Sequence, residues 1–152
     1  MNKILNYIFL FFLFVLFSCT YEPILNKKNY QFSININEKS GDEEINSIII
    51  NNFSIQKENE TKYDLTLISK KEKNIISKDS KGDPAIFELI INVKYNIKKD
   101  EKIIIENKLI EKNTYNNIAD KFELKNYEKN IINNLSIRIS NAIMSSIRNI
   151  NQ

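Results

Sequence analysis

The chain has no histidine and no tryptophan, a single cysteine, and only two glycines and two prolines among 152 residues. Each scarcity removes a class of chemistry. Without histidine, the commonest general base and the commonest nitrogen ligand for a metal are both missing. One cysteine cannot close an intrachain disulfide or supply a cysteine-rich zinc site. Two glycines exclude glycine-rich phosphate loops, and no P-loop, GxGxxG or DxDxDG calcium loop occurs. The adjacent pairs Ser69-Lys70, Ser77-Lys78 and Ser80-Lys81 place a base beside a hydroxyl in sequence. Neighbours on an extended chain point to opposite faces, so such pairs do not make an activated nucleophile. Glu43-Glu44 and Asp100-Glu101 fall at a helix start and a turn, where local backbone physics accounts for them. No catalytic residue, no metal ligand set and no cofactor is therefore expected, and the chain reads as a non-enzyme.

Three residue types dominate instead. Isoleucine (29), asparagine (24) and lysine (20) together make up nearly half the chain, the usual imprint of A/T-rich coding. Acidic residues (19) nearly balance basic ones (22), leaving a net charge of +3. That balance does not call for a nucleic-acid partner.

The apolar residues are unevenly spread. Fourteen of the first 18 residues are apolar, and Ile8 to Phe17 is an unbroken apolar run with Lys3 the only charge before Glu22. A helical membrane span needs roughly 20 such residues, so this run fits a secretory signal. A membrane anchor starting near Ile4 is the competing reading. Leu16-Phe17-Ser18-Cys19 resembles a bacterial lipobox, which implies cleavage before Cys19 and a covalent lipid on its sulfur, the one attached group expected. By resemblance to lipoproteins in general, Thr20 after the cysteine implies the outer membrane. Residues 1–18 are then a signal peptide, 19–29 a lipidated tether and 30–152 a single domain.

Within that domain, Tyr30, Phe32, Ile34 and Ile36 alternate with polar residues, as in a half-buried strand. Ser40-Gly41-Asp42 breaks the pattern and offers a helix cap. Ile45, Ile48, Ile49 and Phe53 then recur at helical spacing. Tyr63, Leu65 and Leu67 mark a second strand. Phe87 to Ile97 is a third, with six apolar residues on one face. After a charged turn at Lys98–Glu101 comes a fourth, with Ile103, Ile105, Asn107 and Leu109 expected on one side. Tyr127, Ile131, Leu135, Ile139, Ile143, Ile147 and Ile150 predict one long helix of about 25–30 residues, frayed near Ser146 and Asn149. The order is strand, helix, three strands, helix. It predicts an α+β fold: a two-layer sandwich of about four mainly antiparallel strands packed by one short and one long C-terminal helix.

Between the second and third strands the chain is polar. Lys70, Lys71, Lys73, Lys78 and Lys81 cluster there and are expected in a solvated hairpin connection. They are candidates for contact with an anionic head group, because lysine offers a point charge to phosphate. They equally suit a sheet edge that lysines keep from aggregating.

The segment Cys19-Thr20-Tyr21-Glu22-Pro23-Ile24-Leu25, the stretches Tyr63-Asp64-Leu65-Thr66-Leu67 and Val93-Lys94-Tyr95, and Tyr115-Asn116 with Ala119 before the final helix resemble the lipopolysaccharide-assembly lipoproteins, the LptE-like family, in its α-proteobacterial form. The resemblance implies a non-catalytic plug in the lumen of an LptD-like outer-membrane β-barrel, helping to assemble it and to deliver lipopolysaccharide. The five lysines become candidate contacts to the barrel or to lipopolysaccharide, and nucleic acid is no partner in that compartment. The competing reading is a periplasm-facing lipoprotein that holds a small ligand or lipid between sheet and helices. It predicts a cavity beneath the long helix, whereas a plug predicts a filled core.

Overall fold

Six elements follow one another in the computed structural model, which describes residues 32–53 and 61–150. Strand β1 (Phe32–Gly41) leads into helix α1 (Glu43–Asn51). Strands β2 (Thr61–Lys78), β3 (Pro84–Lys99) and β4 (Lys102–Asn116) follow, then helix α2 (Lys121–Ile150). The expected signal peptide 1–18 and the expected lipidated tether 19–29 with Cys19 lie outside the described residues. The strands form one sheet in the order β1-β2-β3-β4. β2 with β3 and β3 with β4 are antiparallel, while β1 runs parallel to β2. The fold is thus the expected α+β arrangement on a mixed, mostly antiparallel sheet. A parallel neighbour requires a crossover, and α1 lies in it.

One face of the sheet carries the core. Tyr63, Leu65 and Leu67 of β2 and Leu89, Ile91, Val93, Tyr95 and Ile97 of β3 are buried there. They pack against Ile45 and Ile49 of α1 and against Leu135, Ile139, Ile143 and Ile147 of α2. The helices also touch each other, where the buried Ser140 hydroxyl donates to the Ile49 carbonyl at 3.2 Å. Five α2 positions expected in the apolar stripe, from Ile131 to Ile147, are buried. The two outermost, Tyr127 and Ile150, are exposed. Ser146 does not fray the helix: its hydroxyl bonds to the Ala142 carbonyl and to the Tyr95 hydroxyl, both at 3.0 Å.

The corner between β1 and α1 explains one of the two glycines. Gly41 has φ +92°, and a Cβ there would stand 1.9 Å from the Ser69 carbonyl oxygen. Only glycine meets both demands. Next to it the Asp42 N–H donates to that same carbonyl at 3.3 Å, and the Ser69 hydroxyl donates back to the Asp42 carbonyl at 3.0 Å. Asp42 then caps α1, its carboxylate accepting from the Ile45 N–H at 3.2 Å.

Two expectations change. The polar stretch 69–74 is not a connection but part of β2, which pairs with β3 as far as Lys78 opposite Pro84. The backbone ladder holds it extended, and its inward side chains meet acidic groups on the helices instead of an apolar layer. Ile103 does not share a face with Ile105. A bulge places Ile103 opposite Lys98 while Ile105 stays opposite Ile97, and one extra residue turns the strand over.

The register gives the molecule two distinct ends. At the entry end lie Phe32, Thr61, Lys98 and Lys102, and the hairpin turn in which Asp100 (φ 51°) and Glu101 (φ 63°) are left-handed. At the distal end lie Lys78, Pro84 and Asn116. α2 starts at the distal end and finishes at the entry end, as its contacts with Tyr115 and Tyr95 show.

Candidate functional site

The five lysines that stand together in sequence are separated by the strand's period of two. Lys70 projects from the open face of the sheet, where its ammonium meets Glu72 at 2.8 Å. That hydrogen bond, and then the lysine's charge, hold the Glu72 carboxyl below its ordinary value. Lys71 and Lys73 point the other way, toward the helices. Lys71 bridges Asp42 (3.1 Å) and Glu44 (3.4 Å) at the start of α1. Burial alone would lower its pKa, but the hydrogen bonds and charges of Asp42 and Glu44 prevail and raise it. Lys73 pairs with Glu128 of α2 and lies 4.1 Å over the Phe87 ring.

Lys78 ends β2, and Lys81 belongs to the turn that follows. Asp79 builds that turn, its carboxylate accepting from the N–H groups of Lys81 (2.8 Å) and Asp83 (2.9 Å). Among the described residues neither Lys78 nor Lys81 has an ion pair. Of the five, then, Lys71 and Lys73 are tied into the fold, Lys70 faces the open sheet, and Lys78 and Lys81 occupy the distal end. The Ser69-Lys70 pair is split as expected: the Ser69 hydroxyl is buried and bonded to Asp42, and its neighbour is on the far face.

The surroundings of Lys73 form a cluster that no sequence motif announces. The Tyr115 hydroxyl donates to the Glu128 carboxylate at 2.7 Å. Tyr115 also packs against Phe87 and Tyr127, with ring centroids 5.7 and 5.9 Å apart. Burial, then the hydrogen bond to Glu128 and its charge, push the Tyr115 phenol far above its ordinary value of 10.0. The cluster ties β2, β3, β4 and α2 together at the distal end.

The open face of the sheet is uncovered among the described residues. It carries two shallow depressions. One, of about 560 Å³, is lined by Ile68, Lys70, Glu72, Asn92, Lys94 and Lys108. The other, of about 340 Å³, extends past Thr66, Asn96 and Glu106. Lys94 and Lys108 stand directly opposite each other there. Like charges so placed repel. Fourteen positions separate them in sequence, so only the strand register brings them together. Between sheet and helices, the described residues bury an aliphatic core. Among the described residues no helix is long and apolar enough to cross a membrane, and no group of acidic or cysteine side chains is placed to hold a metal.

Neither a protein-family model nor a curated protein matches the sequence. Solved structures do share the fold. Rare lipoprotein B from Shewanella oneidensis aligns with a TM-score of 0.56 at 19% identity, over 80% of this chain and 98% of that one. A minor lipoprotein from Acinetobacter baumannii gives 0.54 at 12% identity, over 77% and 92% of the two chains. A lipoprotein B from Nitrosomonas europaea gives 0.54 at 13%, over 72% and 77%. Identity this low establishes likeness of fold alone: the chain shares the fold of these bacterial lipoproteins.

Proposed function

We propose that the chain is a lipoprotein of the outer membrane, lipidated on Cys19, that plugs and helps assemble an LptD-like β-barrel and thereby supports lipopolysaccharide transport to the cell surface. The observation that carries this reading is the fold itself. The β-α-β-β-β-α arrangement is shared with lipoproteins over most of the chain. Here it belongs to a sequence whose lone cysteine stands at Leu16-Phe17-Ser18-Cys19. The role is non-catalytic. A plug needs an apolar core of its own and a polar exterior that tolerates a wet lumen, and the buried core beneath α2 and the lysine- and asparagine-bearing open face suit both needs.

Detergent extraction of membranes followed by affinity purification of the tagged chain tests this. An outer-membrane β-barrel is expected to co-purify, and its repeated absence overturns the reading. Cys19→Ala is expected to release the protein from the membrane fraction. Lys70, Lys78 and Lys81 remain the candidate contacts to barrel or lipopolysaccharide, because reversing Lys71 or Lys73 would break ion pairs of the fold. If the triple variant Lys70→Glu/Lys78→Glu/Lys81→Glu bound lipopolysaccharide and barrel as the wild type does, those contacts would be excluded.

A further inference from the structure

The two ends of the molecule differ in charge and in what they expose. At the entry end the β3–β4 hairpin presents Lys98, Lys99 and Lys102, with Lys62 of β2 and Arg148 of α2 at the same end. Asp64, Asp100 and Glu101 are its carboxylates, so five cations face three anions. None of the four lysines is in an ion pair among the described residues. Beside them Ile103 and Ile104, consecutive at the bulge, are 55% and 38% exposed, and Ile150 at the end of α2 is 46% exposed. The distal end also exposes apolar groups, Ile75, Ile76 and Phe122. There, however, Lys78, Lys81 and Lys121 face Asp79, Asp83, Asp120 and Glu123, and the balance is reversed. The entry end is also where the tether arrives. Thirteen residues lead from Cys19 to Phe32 (32 − 19 = 13), a reach of at most about 45 Å.

We infer that the entry end is a membrane-docking surface: the β3–β4 hairpin and the last turn of α2 rest on an anionic phospholipid bilayer. Lys62, Lys98, Lys99 and Lys102 lie at the level of the lipid phosphates, and Ile103, Ile104 and Ile150 face the acyl boundary. The inference rests on the lipidation proposed for Cys19, which attaches the chain to the bilayer on the side of this end. It requires nothing of the barrel. Lysine suits the geometry because its aliphatic stem lies along apolar surface while the ammonium stays among the head groups. Anionic head groups attract such cations within a screening length of about 8–10 Å. The bulge at Ile104 contributes by turning Ile103 out of the core row, which leaves two exposed isoleucines in sequence just behind the Lys99–Lys102 pair of the hairpin.

The test uses the mature lipidated protein in phospholipid vesicles. Its own cysteine is consumed by the lipid, so Ile103→Cys or Ile76→Cys carries the only free thiol for an environment-sensitive fluorophore. Both positions are exposed, so neither change disturbs the core. In vesicles containing phosphatidylglycerol, brominated lipids are expected to quench the probe at 103 and to leave the probe at 76 unaffected. The quenching is expected to be lost in pure phosphatidylcholine vesicles. It is also expected to be lost in Lys98→Glu/Lys99→Glu/Lys102→Glu, which still floats with the lipid. A chain that floats while position 103 stays unquenched, or is quenched equally in both lipids, overturns the docking alone. A chain that does not float overturns the anchor, and the docking with it.

Discussion

Glu128 holds two donors at once, the Lys73 ammonium and the Tyr115 hydroxyl, and this makes the distal cluster a matter of single groups. Replacing Tyr115 by Phe removes a buried donor and is expected to cost about 1 kcal/mol, read from the urea midpoint. The same variant has a signature in pH. The folded phenol titrates above its unfolded value of 10.0, so its contribution is complete below pH 10 and is lost as pH rises toward the folded value. Lys71, also raised, adds to that loss. Stability against urea should therefore fall above pH 10 in the wild type, and Tyr115→Phe should flatten the fall. At Gly41 the constraint is steric. Gly41→Ala forces a Cβ into the Ser69 carbonyl at a positive φ and should destabilise by at least about 2 kcal/mol, with reduced thermal midpoint as the readout. At this scale the sequence was legible where chemistry is local. Asp42 could be read as a cap because capping acts over three residues. The division of Lys70, Lys71 and Lys73 between two faces could not, because it depends on their lying in a strand, and Lys94 and Lys108 meet only through the register of two strands.

Among the elements, β3 was the most legible, since strict alternation over six apolar residues admits one reading. β2 was legible for half its length. Its later residues show no apolar alternation because Asp42, Glu44 and Glu128 answer Lys71 and Lys73 from the helices. That is a tertiary arrangement with no local trace. The bulge in β4 was hidden for a similar reason: Ile103, Ile104 and Ile105 are the same residue, and only pairing with β3 shows which one is extra. The helix α2 is the element on which both layers depend. Ile143 is fully buried between α2 and the sheet, so Ile143→Ala should cost about 2–5 kcal/mol, measured by urea unfolding. The helix start relies on Asp120, whose carboxylate accepts from the Glu123 and Phe122 N–H groups. Those bonds, Glu123 first, depress its pKa. Its contribution is therefore present above the ordinary carboxylate range and lost as pH falls through the depressed value. Asp120→Ala should reduce helix content, seen by circular dichroism at pH 7, and the difference from wild type should narrow toward pH 2.

At the scale of the whole molecule, one layer of helices covers one face of one sheet, and the described residues share a single core. A chain ending before Lys121 would expose Leu65, Leu67, Ile91 and Val93 together and should accumulate as insoluble protein, scored by the soluble fraction on expression. The fold class was legible because patterning of strands and helices fixes layers. The functional surface was less so, because it is made by register and by the placing of ends. The parallel pairing of β1 with β2 has a mechanical consequence. Under the lipidation proposed for Cys19, a pull on the chain preceding Phe32 would draw β1 along its own axis. Nine residue pairs, from Phe32–Thr61 to Gly41–Ser69, oppose that motion. Tension on the tether therefore loads them in shear, all together as in a lap joint, and not one after another as in a peeling seam. An anchor at Cys19, as proposed, would therefore pull in the direction in which this pairing resists best.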